Sequence, residues 1–304
     1  MKIYINRVPR TGPWGGGNKT VSELSNILKN YGHDVVYKLC DNLDIIFCFD
    51  PRPNDFGEWY QHFINYRHHF NNCKIIQRVG DLGTHSKPEL TSLVSDTIKL
   101  SDFLIFPSEW AKEYIGYEGD NYSVIHNAPL FDFYRHRDSK NQIKDGKVKI
   151  ITHHWSTNPK KGFEYYSALD KYCQENDNIE FKYIGRVPEG VTYKNHIIAT
   201  GDNDLIGSEL SNSHIYLTAS REEAGANHVL EALASGLPVI YHEEGGSIVN
   251  YCERYGLSYG NEKEMFECID KICKDYKRYK NIALRYNNTI SNTMSKYLEV
   301  FNAM

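Results

Sequence analysis

Short apolar runs alternate with stretches of helical spacing along nearly the whole chain. That alternation is the mark of parallel α/β architecture, in which each strand is followed by a helix that returns to lay down the next strand. In the first half the pattern predicts strands near residues 2–6, 34–38, 44–49, 74–79, 103–107 and 122–126, with helices near 18–31, 58–71, 87–100 and 108–117. A second series starts at Val148-Lys149-Ile150-Ile151-Thr152 and continues through residues 179–184, 196–198, 214–218 and 238–241. The C-terminal stretch reads as helical. Between the two series the polar segment from Asp138 to Lys147 reads as an interdomain linker. This sets a first Rossmann-like domain at residues 1–140 and a second at 148–281, and two domains are also what 304 residues favour.

Composition sharpens the picture mainly by exclusion. An apolar fraction of 40%, with 23 Tyr against 13 Phe, fits a globular protein and not a disordered one. A net charge of -4 gives no general pull toward nucleic acid or an anionic membrane. No apolar run approaches the length of a transmembrane segment, and Met1-Lys2-Ile3-Tyr4-Ile5 leads straight into a strand, so no signal peptide is expected. Seven scattered cysteines, none in a Cys-x-x-Cys pair, predict reduced thiols in a cytoplasmic setting. The glycosylation acceptor patterns at Asn18, Asn121 and Asn287 are then read as chance. Nothing in the sequence bears on oligomeric state.

The densest chemistry lies between residues 214 and 241. The run His214-Ile215-Tyr216-Leu217-Thr218 is followed by Arg221-Glu222-Glu223-Ala224-Gly225-Ala226-Asn227-His228. A helix containing Glu231 comes next; it stops at Gly236, and Leu237-Pro238-Val239-Ile240-Tyr241 reads as the next strand. The start of a helix points backbone N–H groups outward and carries partial positive charge, which suits a phosphate or diphosphate. The small residues Ala224, Gly225 and Ala226 let a ligand approach that backbone, with Asn227 and His228 at the helix start. Acids on either side of an anion site make sense when the ligand is long, with a hydroxyl-rich group at each end of a diphosphate. Glu231 is placed to accept two hydroxyls of a ribose, and Glu223 to face a sugar. The plainer alternative is that both acids complement the helix dipole and solvate a loop.

Glu-x7-Glu, followed by Ala-x-Ala-x-Gly-x-Pro-Val-Ile and the turn Gly245-Gly246, resembles the donor-site signature of the family-4 retaining glycosyltransferases. The resemblance implies the GT-B fold: two Rossmann-like parallel-sheet domains facing a central cleft, with the last helix, residues 282–304, crossing back onto the first domain. It implies a nucleoside-diphosphate sugar as donor, UDP- or GDP-linked, bound on the second domain, and a glycan or other hydroxyl acceptor on the first. It implies no metal and no cofactor. The chain departs from the signature at three places. Glu223-Ala224-Gly225-Ala226 stands where the family has Glu-Gly-Phe-Gly, and Ser247 follows the glycine pair where an acid is common. Lys161-Gly162 matches the family's Lys-Gly, whose lysine neutralises the diphosphate leaving group, but Trp155 occupies the position of an arginine six residues earlier. Lys160 or Arg186 is then expected to supply the second charge.

Three further segments carry chemistry. Gly12-Pro13-Trp14-Gly15-Gly16-Gly17-Asn18 precedes the first helix and lacks the spacing of a nucleotide-binding motif, so it reads as a tight connection. The resemblance points instead to Gly16 and Gly17 as meeting donor phosphate or acceptor. His153-His154 invites a metal reading, but adjacent residues on a strand point to opposite faces and no third ligand has a metal spacing. Arg78-Val79-Gly80-Asp81-Leu82-Gly83-Thr84-His85 ends a strand, where ligand-facing loops occur in such sheets. In the family a histidine of the first domain contacts the donor sugar; His85 is the nearest candidate, with Asp81 or Arg78 as alternatives. Ser108 and Asp202 read as starting helices, and Asn127 as a turn residue.

The expected function is that of a metal-independent, retaining glycosyltransferase. Glu223, Lys161 and His85 are the expected catalytic residues, and Glu231 the ribose ligand. Two other readings stay open: a non-catalytic protein that binds sugar nucleotides or glycans, and a different enzyme on the same fold, such as a sugar-nucleotide epimerase.

Overall fold

The computed structural model describes residues 1–10, 16–137, 142–143, 146–198 and 200–304. The chain divides into two compact units, Met1–Asn127 with Ile290–Met304, and Ala128–Thr289. Among the described residues each unit holds a six-stranded sheet in which every pairing is parallel.

In the first unit the strands are β1 (Lys2–Ile5), β2 (Asp34–Val36), β3 (Ile45–Cys48), β4 (Lys74–Arg78), β5 (Phe103–Phe106) and β6 (Tyr122–Val124), in the order β2-β1-β3-β4-β5-β6. The helices are α1 (Gly16–Asn30), α2 (Tyr60–His69), α3 (Pro88–Thr97) and α4 (Glu109–Tyr114). Ile-Ile-Phe-Cys of β3 is buried at every position, as a parallel strand covered on both faces must be. Helix α1 turns Val21, Leu24 and Leu28 inward at helical spacing. The C-terminal helix, Ile290–Ala303, presents Met294, Tyr297, Leu298 and Phe301 to the same cluster, and Phe301 meets Phe47 at 5.2 Å between ring centroids. Truncating a ring buried like that of Phe301 costs about 3–5 kcal/mol, so this late segment is part of the first core.

The second unit contains β7 (Val148–His154), β8 (Ile179–Gly185), β9 (His196–Ile197), β10 (Ile215–Thr218), β11 (Val239–His242) and β12 (Gly256–Tyr259), in the order β12-β11-β10-β7-β8-β9. Its helices are α5 (Phe131–Arg135), α6 (Phe163–Glu175), α7 (Asn203–Ser211), α8 (Asn227–Ala234), α9 (Ser247–Cys252), α10 (Glu262–Lys274) and α11 (Tyr276–Ala283). The order reverses at β7, whose successor β8 lies on one side and β10 on the other. In open α/β sheets ligands bind at the carboxyl ends of strands flanking such a reversal.

Three expectations need correction, the first being the helix expected at 282–304: it is Ile290–Ala303, and residues 282–289 belong to the second unit. The boundary falls between Asn127 and Ala128 rather than in 138–147, because Phe133 of α5 is fully buried against Ile206, Leu210, Leu230 and Leu233 of the second unit. Residues 138–141 and 144–145 of the expected linker lie outside the described residues. Strand β12 was not expected. It starts with a glycine at the edge of the sheet, where a Cβ on Gly256 would lie 1.9 Å from the Val239 carbonyl oxygen; close backbone approach, not side-chain pattern, selects the residue.

Candidate active site

The reversal at β7 and β10 gathers the expected residues of the second unit. After β7, Pro159–Lys161 form one 3-10 turn, begun by Asn158, whose side chain accepts from the Lys160 N–H at 3.0 Å. The turn closes on Gly162, at φ 73°. This puts the two lysines beside the segment that leaves β10, and the Arg221 N–H donates to the Lys160 carbonyl at 2.8 Å.

Lys161 is only 8% exposed, and its Nζ donates to Glu223 Oε1. Lys160 makes the same contact one residue earlier, to Glu222 Oε2 on the half-exposed rim. So Lys160 is engaged with Glu222, and the expectation that it backs up Lys161 toward a diphosphate has a competing carboxylate to overcome. Arg186, the other candidate, is exposed at the end of β8, where its N–H donates to the His154 carbonyl at 3.1 Å.

Glu223 is held by its backbone. It forms a parallel bridge with Gly246, its N–H donates to the Gly245 carbonyl at 3.3 Å, and its carbonyl accepts from the Ser247 N–H at 2.8 Å. A Cβ on Gly246 would stand 2.6 Å from the Glu223 carbonyl oxygen, which gives the Gly-Gly turn a steric reason. Ser247, standing where the family has an acid, accepts from the Ala226 N–H at 3.0 Å through its Oγ. Ala226 is therefore buried with its N–H committed, and it does not offer that group to a ligand. Gly225 is half-buried beside it.

Helix α8 begins at Asn227 with no side chain capping it, so its first N–H groups are not drawn into a cap. Gly236 ends it in a Schellman arrangement, with Gly236 N–H to Leu233 O at 2.9 Å and Leu237 N–H to Ala232 O at 3.0 Å. Asn227 and His228 are half-buried rather than displayed. His228 Nε2 lies 3.1 Å from Thr218 Oγ1. Desolvation, with Lys161 and His153 adding to it against Glu223 and Glu231, lowers the His228 pKa to about 3. The imidazole at the helix start is therefore neutral at physiological pH.

Glu231 is buried inside α8, and its Oε2 is 2.7 Å from His153 Nε2. Tyr216 Oη lies 3.1 Å from the other ring nitrogen, Nδ1. His154 points to the opposite face of β7, where its Nε2 is 2.6 Å from the Tyr166 hydroxyl of α6. Each histidine thus has its own protein partner, and among the described residues no group of three or more His, Cys, Asp or Glu is placed to hold a metal ion. Trp155 packs on His153 at 6.1 Å between ring centroids, so an aromatic wall stands where the family has a guanidinium. Sequence reasoning missed Tyr216 and Thr218 as site residues; both sit inside an apolar run, and only the fold shows where their hydroxyls go.

The remaining candidates belong to the first unit. Gly16 opens α1, and Gly17 lies against Phe49, a Cβ there coming to 3.4 Å of the ring. Gly12 to Gly15 lie outside the described residues. Gly17 also lines a cavity of about 550 Å³ at the carboxyl ends of β1 and β3, with Asn6, Arg7, Asp50, Arg52 and Phe56 among its walls. His85 is half-buried in the loop after β4. Arg78 is buried and donates to Asn127 at 2.9 Å and to the Tyr297 hydroxyl at 3.1 Å, while Asp81 pairs with Lys87 at 3.0 Å; both serve their own unit. Ser108 and Asp202 cap α4 and α7 as expected.

Among the described residues no helix is long and apolar enough to cross a membrane. Residues 150–275 match the family described as glycosyl transferases group 1. No curated protein matches the chain by sequence. Among solved structures, sucrose-phosphate synthase from Thermosynechococcus elongatus superposes with a TM-score of 0.70 at 14% identity, over 100% of both chains. HepE of Anabaena, in complex with UDP and glucose, gives 0.67 at 12% identity, over 100% of this chain and 99% of that one. WaaG, a glycosyltransferase involved in lipopolysaccharide biosynthesis, gives 0.66 at 14% identity, over 100% of both chains. The two parallel six-stranded sheets are those of the GT-B fold, and residues 150–275 of the chain form a domain of the glycosyl transferases group 1.

Proposed function

We propose that the chain is a retaining, metal-independent transferase that moves a sugar from a UDP- or GDP-linked donor to a hydroxyl of a glycan or other acceptor. The observation that carries this reading is the placement of Lys161, Glu223 and Glu231 around the uncapped start of α8, at the reversal of the second sheet. A diphosphate set against that helix start meets backbone N–H groups and the Lys161 ammonium. Glu231 then lies on the ribose side and Glu223 on the sugar side.

In the retaining reaction the bond from the anomeric carbon to the diphosphate oxygen breaks, and a bond to the acceptor oxygen forms on the same face. The acceptor proton passes to the departing diphosphate. Lys161 and the α8 start spread the charge that develops on that group, and Glu223 faces the positive charge developing at the anomeric carbon. The burial of Lys161 and Glu223 strengthens both effects relative to water. The cavity of the first unit, with guanidinium, carboxylate and amide groups beside Phe49 and Phe56, suits a hydroxyl-rich acceptor. That HepE was solved with UDP and glucose is consistent with this donor class.

Donor hydrolysis tests the reading. One UDP- or GDP-sugar is expected to release its nucleoside diphosphate slowly, unchanged by EDTA, and with retained anomeric configuration in the transfer product. Binding without turnover across a broad acceptor panel overturns it in favour of a binding protein.

A further inference from the structure

The donor-site reading gives no task to two buried side chains that touch it. His153 is 1% exposed, and its Nε2 meets Glu231 Oε2 at 2.7 Å. Behind the ring, the fully buried Tyr216 places its hydroxyl 3.1 Å from Nδ1. The three side chains come from β10, β7 and α8 and form one line that ends on the carboxylate. Burial keeps the Tyr216 phenol well above its ordinary pKa, so it is a hydroxyl, and it also accepts from the His153 backbone N–H at 3.3 Å and meets the His153 carbonyl at 3.4 Å. The Glu231 carboxylate only accepts, so the ring proton that meets it sits on Nε2, and the hydroxyl at Nδ1 holds the ring from behind.

A glutamate on a helix has three rotatable bonds, and recognition of a diol needs its carboxylate plane held still. A carboxylate has acceptor capacity for about four hydrogen bonds, so one bond from histidine orients it and is compatible with two ribose hydroxyls. Replacing His153 by an apolar group would also strip a buried carboxylate of a donor, which is costly.

We propose that His153, oriented by Tyr216, is a positioning residue that fixes the Glu231 carboxylate for the two hydroxyls of a ribose, and so selects ribonucleotides over 2′-deoxyribonucleotides. This rests on the assignment of Glu231 to the ribose made above.

The test compares dissociation constants of the full chain for UDP, GDP and their 2′-deoxy forms. The ratio of deoxy to ribo is taken within each variant, so a general weakening of the site cancels. The parent is expected to favour the ribonucleotide about tenfold, the value of one hydrogen bond to a charged group. Glu231→Ala and His153→Ala are expected to bring the ratio close to one, and Tyr216→Phe to lower it several-fold. His153→Gln, which keeps an N–H within reach, is expected to retain most of it. A parental ratio in His153→Ala, alongside a collapsed ratio in Glu231→Ala, overturns the inference and leaves Glu231 on the ribose. A parent that does not discriminate, or binds neither nucleotide, overturns the ribose assignment and the inference with it. Where His153→Ala does not fold, Tyr216→Phe decides, and an unchanged ratio there overturns the inference.

Discussion

Gly162 lies against Ala219 with no room for a methyl group: a Cβ on Gly162 would fall 2.5 Å from both the Ala219 Cβ and its carbonyl oxygen. The backbone there is left-handed as well, at φ 73°. Gly162→Ala is expected to destabilise the second unit by about 2 kcal/mol or more, from overpacking and left-handed strain together. It is also expected to displace Lys161 and lower turnover. Denaturant unfolding and initial rates check both, and an unperturbed midpoint would refute the steric account.

Lys161 is the group assigned to the departing diphosphate. Lys161→Ala is expected to lower kcat by about 10²–10³-fold, the usual effect of removing one preorganised charge-stabilising donor, with a smaller change in donor KM. Steady-state kinetics resolve the split. A change confined to KM would mean that Lys161 binds the donor equally in ground and transition states.

Glu222 holds a left-handed backbone, φ 52°, without being glycine, and its bond to Lys160 lies on the half-exposed rim. Rim pairs of this kind contribute about 0–1 kcal/mol. Glu222→Gly relieves the backbone while losing the pair, so stability is expected to stay within about 0.5 kcal/mol of the parent. Thermal unfolding is the check, and a large loss would show the rim pair to be a structural tie.

Ser247 joins two segments through one hydroxyl. Ser247→Ala leaves the buried Ala226 N–H without that acceptor and is expected to cost about 1–2 kcal/mol. It is also expected to weaken donor binding, because the loop before α8 loses a fixed point. Calorimetric titration with the donor, beside an unfolding curve, separates the two effects.

The pH dependence follows from His228. Its pKa is about 3 in the folded chain, against an ordinary value of 6.5, so between those values the unfolded chain binds more protons. Its contribution to stability is therefore complete above about pH 6.5 and is lost on acidification toward pH 3. His228→Asn keeps a polar partner for Thr218 and is expected to lose less stability than the parent between neutral pH and about pH 5. Urea midpoints at the two pH values measure the difference; parallel losses would remove His228 from the account.

Much of the fold was legible from spacing. Eleven of the strands follow apolar runs that stand out in the sequence; β12 does not, because Gly256-Leu257-Ser258-Tyr259 has a glycine and a serine in four positions at a sheet edge. The candidate site was legible where a backbone rule demanded a residue type, as at Gly236, and where the family likeness named one, as at Gly162 and Gly246. It was not legible where a partner came from far along the chain. His153 and Glu231 are 78 residues apart, and Glu223 and Lys161 are 62 apart. Such pairs exist only once the sheet order is set. The family likeness supplied roles for Glu223, Glu231 and Lys161, but a pattern of residue types does not show that Lys160 is engaged by Glu222.

Residues 224 and 225 hang between two anchors that share one segment: Glu223 is tied to Gly245 and Ser247 through its backbone, and Ala226 to Ser247 through its N–H. The span between the anchors is fixed through backbone groups of the bridge and the Ser247 hydroxyl. Exchanging the residues of this short bridge one for one therefore leaves both anchors in place. Adding or deleting a residue there breaks an anchor, so the length of the bridge is set even where the identity of its residues is not.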